Sequence, residues 1–193
     1  MAEKQIHHMN EIDIRSLAQR KELTSELELE KASLATRILR LQSEKDPSLE
    51  QLREKLIVLI RNYETIHWSR KNVKSRSRIE ESDRAEVQAM AEFEFFRKRN
   101  ALILKKLKIR GLKQIHLSKI LMHSKSYTSE LLNGIRAFSS NDLLVIHKLL
   151  NIKLEDLFFT ELPTEIQDRI NSVLGEVSVN IDNKDSKEHE LVT

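Results

Sequence analysis

The sequence predicts an all-α protein, with an N-terminal helical hairpin followed by a five-helix bundle. Three observations predict it. Only 3 glycines and 2 prolines occur among 193 residues, so helix-breaking positions are scarce. Leu, Ile, Glu and Lys are abundant, a composition that favours helix over strand and turn. Apolar residues recur three and four apart through long stretches, the spacing of one helix face.

The elements follow in chain order. Residues 1–20 are polar with weak periodicity and read as a loosely attached arm. From about Thr24 to Glu44, Leu27, Leu34, Ile38 and Leu41 recur at helical spacing. Asp46-Pro47 reads as an N-cap followed by a proline at the first helical position, where a missing N–H costs nothing. The next helix runs to about Trp68, with Leu49, Leu52, Leu56, Leu59, Ile60, Tyr63 and Ile66 on one face. A short link between two long amphipathic helices makes an antiparallel hairpin. Two helices cannot cover their own apolar stripes, so residues 1–68 are expected to pair with another surface or with a second copy, as a homodimer.

Residues 69–82, SRKNVKSRSRIEES, are polar and mostly basic and read as a linker or as a loop that touches nucleic acid. A helix is expected to restart near Ser82 or Asp83 and to reach Ile109. It carries Phe93, Phe95 and Phe96, expected to join it to the bundle core, and then Leu102, Ile103, Leu104 and Leu107. Gly111 stops it. A second domain is expected over 83–175. The tail over 176–193 is acidic and polar, and its composition predicts disorder.

Within that second domain, a helix from Lys113 to Leu121 is expected to bury Ile115, Leu117, Ile120 and Leu121, with the small Ser118 at a close helix crossing. The three-residue turn Met122-His123-Ser124 follows, and Ser124 is placed to cap the next helix. That helix buries Thr128, Leu131 and Leu132 and ends at Asn133-Gly134. Ser139 or Ser140 caps a further helix holding Leu143, Leu144, Ile146, Leu149 and Leu150. Ile152, Leu154, Leu157 and Phe158 close the bundle. Two short helices joined by such a turn form the helix-turn-helix motif, whose second member enters the DNA major groove.

Gly111-Leu112-Lys113-Gln114, Leu117-Ser118, Ser124, Asn133-Gly134 and the run Asn151 to Phe158 together resemble the Xre or phage-repressor class across about 60 residues. Met122 departs from the class, which has a left-handed turn glycine there, so Met122 implies mild strain or another turn. The resemblance implies that the first exposed residues of the second helix read DNA. The candidate DNA-binding set is Gln114, Ser124, Lys125, Ser126, Tyr127, Glu130 and Arg136. Lys125 donates to guanine or phosphate, Ser126 adapts to either partner, the Tyr127 ring meets a thymine methyl, and Glu130 accepts from cytosine N4. Gln114 and Arg136 are phosphate contacts. A narrower resemblance, over Ser124 to Arg136 and Ile146 to Leu150 with the helical region ending Asn62 to His67, is to HigA-type antitoxins. It implies an alternative: an antitoxin that neutralises a small basic ribonuclease toxin through its N-terminal half and represses its own operon. Glu22, Glu26, Glu28 and Glu30 are the acidic residues available to such a partner.

Charge distribution agrees with a nucleic-acid partner. Residues 1–68 hold 11 Lys/Arg against 12 Asp/Glu, net −1, whereas residues 95–162 hold 13 against 5, net +8. A basic field of that kind attracts a polyanion. The 7 histidines include the adjacent His7 and His8 and the scattered His116, His123 and His147, with no metal-ligand spacing, and no cysteine is present. No nucleophile elbow or Gly-rich phosphate loop occurs, so neither an enzyme nor a cofactor is expected. No apolar run approaches the roughly 20 residues that span a bilayer, and no signal-peptide pattern opens the chain, so a cytoplasmic location is expected and no membrane contact.

Overall fold

The computed structural model describes residues 13–44, 46–68, 76–162 and 166–177. All regular structure among these residues is helical. The helices are α1 (Ile14–Leu17), α2 (Glu26–Ser43), α3 (Ser48–His67), α4 (Arg76–Ile109), α5 (Gln114–Ile120), α6 (Lys125–Leu132) and α7 (Ser140–Leu150), followed by a 3-10 turn, Leu154–Asp156. The described residues up to Phe159 form one compact unit, and those from Thr160 belong to a second, which holds a helix over 166–177. No described helix is long and apolar enough to cross a membrane.

Local chemistry starts and stops these helices. Ser25, Ser124 and Ser139 each accept from the amide three residues on, at 3.2, 3.1 and 3.1 Å, satisfying donors that the first turn leaves open. Asp46 Oδ1 accepts from the Ser48 amide at 3.1 Å and from its hydroxyl at 2.6 Å, while Pro47 takes φ −58°. The second hairpin helix thus starts one residue later than expected, at Ser48, with Pro47 rather than Asp46 in the cap position. Gly111 and Gly134 hold φ of +66° and +73° just beyond α4 and α6. In each case the following amide bonds to the carbonyl five positions back: Leu112 N to Leu107 O and Ile135 N to Glu130 O, both at 2.9 Å. This is the Schellman ending that a left-handed residue permits.

Two apolar clusters fill the first unit. One joins Ile14 and Leu17 of α1 to Ala32, Ala35 and Leu39 of α2 and to Leu49, Leu56 and Tyr63 of α3. It also takes in Ile135, which follows α6. The other joins Ile103 and Leu107 of α4 to Leu117, Leu131, Ile146, Leu150 and Leu157. Each fully buried side chain of this size contributes about 1.5–3 kcal/mol. Since Ile135 sits in the hairpin's cluster, hairpin and bundle share packing. Lys31 of α2 lies 2.6 Å from Glu92 Oε2 of α4, with Glu92 buried, and adds a charged tie between the two.

Several expectations are corrected. Residues 13–20 are not a loose arm: Ile14 is fully buried and its amide donates to Ile135 O at 2.9 Å. Residues 1–12, including His7 and His8, lie outside the described residues. The basic stretch over 69–82 is helical from Arg76, where no glycine or proline interrupts and Arg76 pairs with Glu80 at 2.9 Å, one turn on. Residues 69–75 lie outside the described residues, as does the tail from 178. The bundle unit ends at Phe159 rather than at 175. The hairpin's stripe, by contrast, meets one of the two expected outcomes: it packs on another surface, supplied by the same chain through α1, α4 and Ile135.

Six residues expected inside are outside: Leu41 is 71% exposed, Ile66 61%, Leu144 47%, Leu104 46%, Leu154 44% and Ile120 42%. The inner line of α2 runs through Ala32, Ala35 and Leu39, and Leu41, nine residues from Ala32, is half a turn out of phase. Ile66 lies about a quarter turn off the line of Leu49, Leu56 and Tyr63. The inward side of α5 is centred on Leu117, Ser118 and Leu121, which leaves Ile120 on its flank. Phe95 and Phe96 do join α4 to the bundle's end, both packing on Phe159 with centroids 5.4 and 6.2 Å away.

Candidate nucleic-acid interface

The α5–α6 pair is built around its turn. Met122 takes φ +57°, the left-handed value expected of a glycine. His123 N bonds to Ser118 O at 2.9 Å and Met122 N to Lys119 O at 3.3 Å, the same Schellman pattern seen at Gly111 and Gly134. The Met122 side chain is 91% exposed, so its packing does not offset the strained backbone. His123 Nε2 then donates to Asp142 Oδ1 at 3.0 Å, while Asp142 Oδ2 accepts from Ser139 N at 3.1 Å. One carboxylate thus fixes the turn to the start of α7.

A buried polar node sits beneath α6. Asn100 Nδ2 donates to Leu131 O at 3.2 Å, and Asn100 Oδ1 accepts from Arg99 Nε and Nη2 at 3.2 and 3.1 Å. The Arg99 guanidinium lies over the rings of Phe96 and Phe138, at 4.9 and 5.1 Å. Thr128, Leu131 and Leu132 are buried on the same side of α6. With that side committed, the opposite side of its first turn faces solvent.

The expected site residues divide into three groups. Ser124, Lys125 and Ser126 are exposed on the first turn of α6, and Gln114 is exposed at the first position of α5. Tyr127 is half-buried, with its ring 4.7 Å from the His123 ring and the Arg136 guanidinium 4.8 Å from its centroid. Glu130 does not stand ready to accept from a base. Its Oε1 accepts from Arg15 Nη2 at 2.5 Å, and its Oε2 accepts from Arg15 Nε at 2.8 Å and Arg136 Nε at 2.7 Å. Its side chain is only 15% exposed. Burial alone would raise its carboxyl, but the Arg15 and Arg136 hydrogen bonds outweigh it and hold the group below the usual carboxylate range.

Arg15 is the residue that sequence reasoning missed. It lies 115 positions from Glu130 in a segment with weak periodicity, and only the docking of α1 brings it there. Asp13, which accepts from Ser16 N at 2.8 Å as an N-cap, was the one local signal of that helix.

The other expected candidates have structural partners. Glu26 accepts from Tyr63 Oη and Trp68 Nε1, both at 3.1 Å, inside the hairpin. Glu28 accepts from Thr24 N at 2.8 Å and pairs with Arg20. Buried and bonded in this way, neither is available to a basic partner, whereas Glu22 is exposed and Glu30 half-buried. His116 Nδ1 accepts from Lys113 N at 3.1 Å at the start of α5, and His147 Nδ1 donates to Ile152 O at 2.6 Å. The three described bundle histidines thus each serve a turn or helix end.

No family model matches the chain, and no curated protein or solved structure matches it either.

Proposed function

We propose that this protein is a sequence-specific regulator of transcription, a cytoplasmic repressor that binds a two-fold DNA operator as a homodimer. The observation that carries this reading is the first turn of α6. Ser124 caps it, its inner side is buried, and Ser124, Lys125 and Ser126 face outward beside the exposed Gln114. Such a turn fits a major groove, where a lysine meets guanine acceptors or phosphate and a serine adapts to either partner. The surrounding chain supplies the field: net +8 over residues 95–162.

The test is selection of duplexes from a random pool by the full-length protein, followed by titration of the best sequence against a scrambled one. Lys125→Ala is expected to weaken binding by about 1–3 kcal/mol if it reads a base, with relaxed preference at one position. Tyr127→Ala is expected to alter preference at a neighbouring position. Equal affinity for selected and scrambled duplexes would overturn the reading.

A further inference from the structure

Three contacts tie the C-terminal end of α6 to α1 and to the N-terminal hairpin. Ile14 N donates to Ile135 O at 2.9 Å, Gln42 Nε2 donates to Asn133 O at 2.9 Å, and Arg15 grips both oxygens of Glu130. The first two are neutral and hold backbone. The third changes the charge of the face that carries the candidate reading residues. Without Arg15, Glu130 and Arg136 would cancel one another, and an anion would stand on the helix proposed to meet phosphate. With Arg15, the trio carries one net positive charge.

The trio also reaches Tyr127. The Arg136 guanidinium bonds to Glu130 at 2.7 Å and lies 4.8 Å from the Tyr127 centroid. An arginine fixed by a carboxylate keeps one position over a ring, since its planar donors leave it little freedom.

We propose that Arg15 is a positioning residue of the DNA-binding face: together with Arg136 it neutralises Glu130, so that α1, docked from the N-terminal part of the chain, sets the charge of α6 toward DNA. The inference rests on the DNA-binding reading above and adds a determinant outside the α5–α6 pair. It assigns Glu130 a role opposite to base reading, as an anion kept covered.

The experiment compares full-length wild type with Arg15→Gln, Glu130→Gln and the double variant on the selected duplex, with helix content checked by circular dichroism. Arg15→Gln is expected to bind about five- to thirtyfold more weakly, the effect of uncovering one charged group. Glu130→Gln is expected to bind about two- to fivefold more tightly, since it removes an anion near phosphate; its one amide oxygen, in the place of Oε2, still accepts from Arg15 Nε and Arg136 Nε, and only the bond from Arg15 Nη2 is lost. The double variant, whose trio again carries one positive charge, is expected to return to within about threefold of wild type.

Failure of that rescue would overturn the proposal, because a direct phosphate contact by Arg15, or a purely structural role in seating α1, would leave the double variant weak. A direct contact would also lower the salt slope of Arg15→Gln by about 0.9. Weaker binding by Glu130→Gln would overturn it too, and this arm holds even if Arg15→Gln does not fold. Wild type that prefers no duplex would overturn the DNA-binding reading and the inference with it. Wild type that binds while Arg15→Gln binds equally well would overturn the inference alone.

Discussion

Met122 holds a backbone conformation that costs an L-residue about 1–2 kcal/mol, and its exposed side chain recovers little of that. Glycine would remove the steric cost but add entropy to the unfolded chain. Met122→Gly is therefore expected to stabilise the protein by about 0.5–1 kcal/mol, raising the thermal midpoint by roughly 1–4 °C. An unchanged or lowered midpoint would mean that the turn is not strained. Gly111 and Gly134 marked their turns openly in the sequence, whereas Met122 betrayed its turn only by its place between two helices. Glu130 gives a second expectation. Its carboxyl is held below the usual range, so its contribution is present above the ordinary glutamate value of about 4.3 and is lost as pH falls through its folded value. Glu130→Gln should flatten the loss of stability on acidification below about pH 4.5, as read by denaturant unfolding at a series of pH values.

The helices were more legible than what they touch. Serine caps, the Asp46-Pro47 start and glycine stops all depend on residues next to one another in sequence, so they could be read from it. The inner line of α2 could not, because it is built on Ala32 and Ala35, which let α2 approach its neighbours closely, rather than on Leu41. The start of α4 at Arg76 was hidden by a polar run without apolar periodicity, which holds no glycine or proline and is helical all the same. Nor was the seat of α6 visible: Asn100 looks like one more polar residue of a charged helix. Asn100→Ala removes the donor to Leu131 O and an acceptor for Arg99, both in the interior. We expect a cost of about 1–3 kcal/mol in denaturant unfolding. A cost near zero would show that this node does not hold α6.

Hairpin and bundle, which look like two domains in sequence, form one unit because Ile135 enters the hairpin's cluster and α1 returns to meet it. No pattern in residues 1–20 could reveal that contact, since its partner lies more than a hundred residues away. A regulator reading a two-fold operator should dimerise. Sedimentation at micromolar concentration is expected to show a dimer on DNA, with half-sites about 34 Å apart or a multiple of that. The decisive measurement is the affinity of the full-length protein for its selected duplex as salt is raised, followed by fluorescence anisotropy. If the basic stretch over residues 95–162, net +8, meets DNA as proposed, log affinity should fall linearly with log salt, at about −0.9 per phosphate neutralised. The selected duplex should stay preferred over a scrambled one throughout. Affinity that is flat with salt, or equal for the two duplexes, would contradict a sequence-specific DNA-binding role for α6.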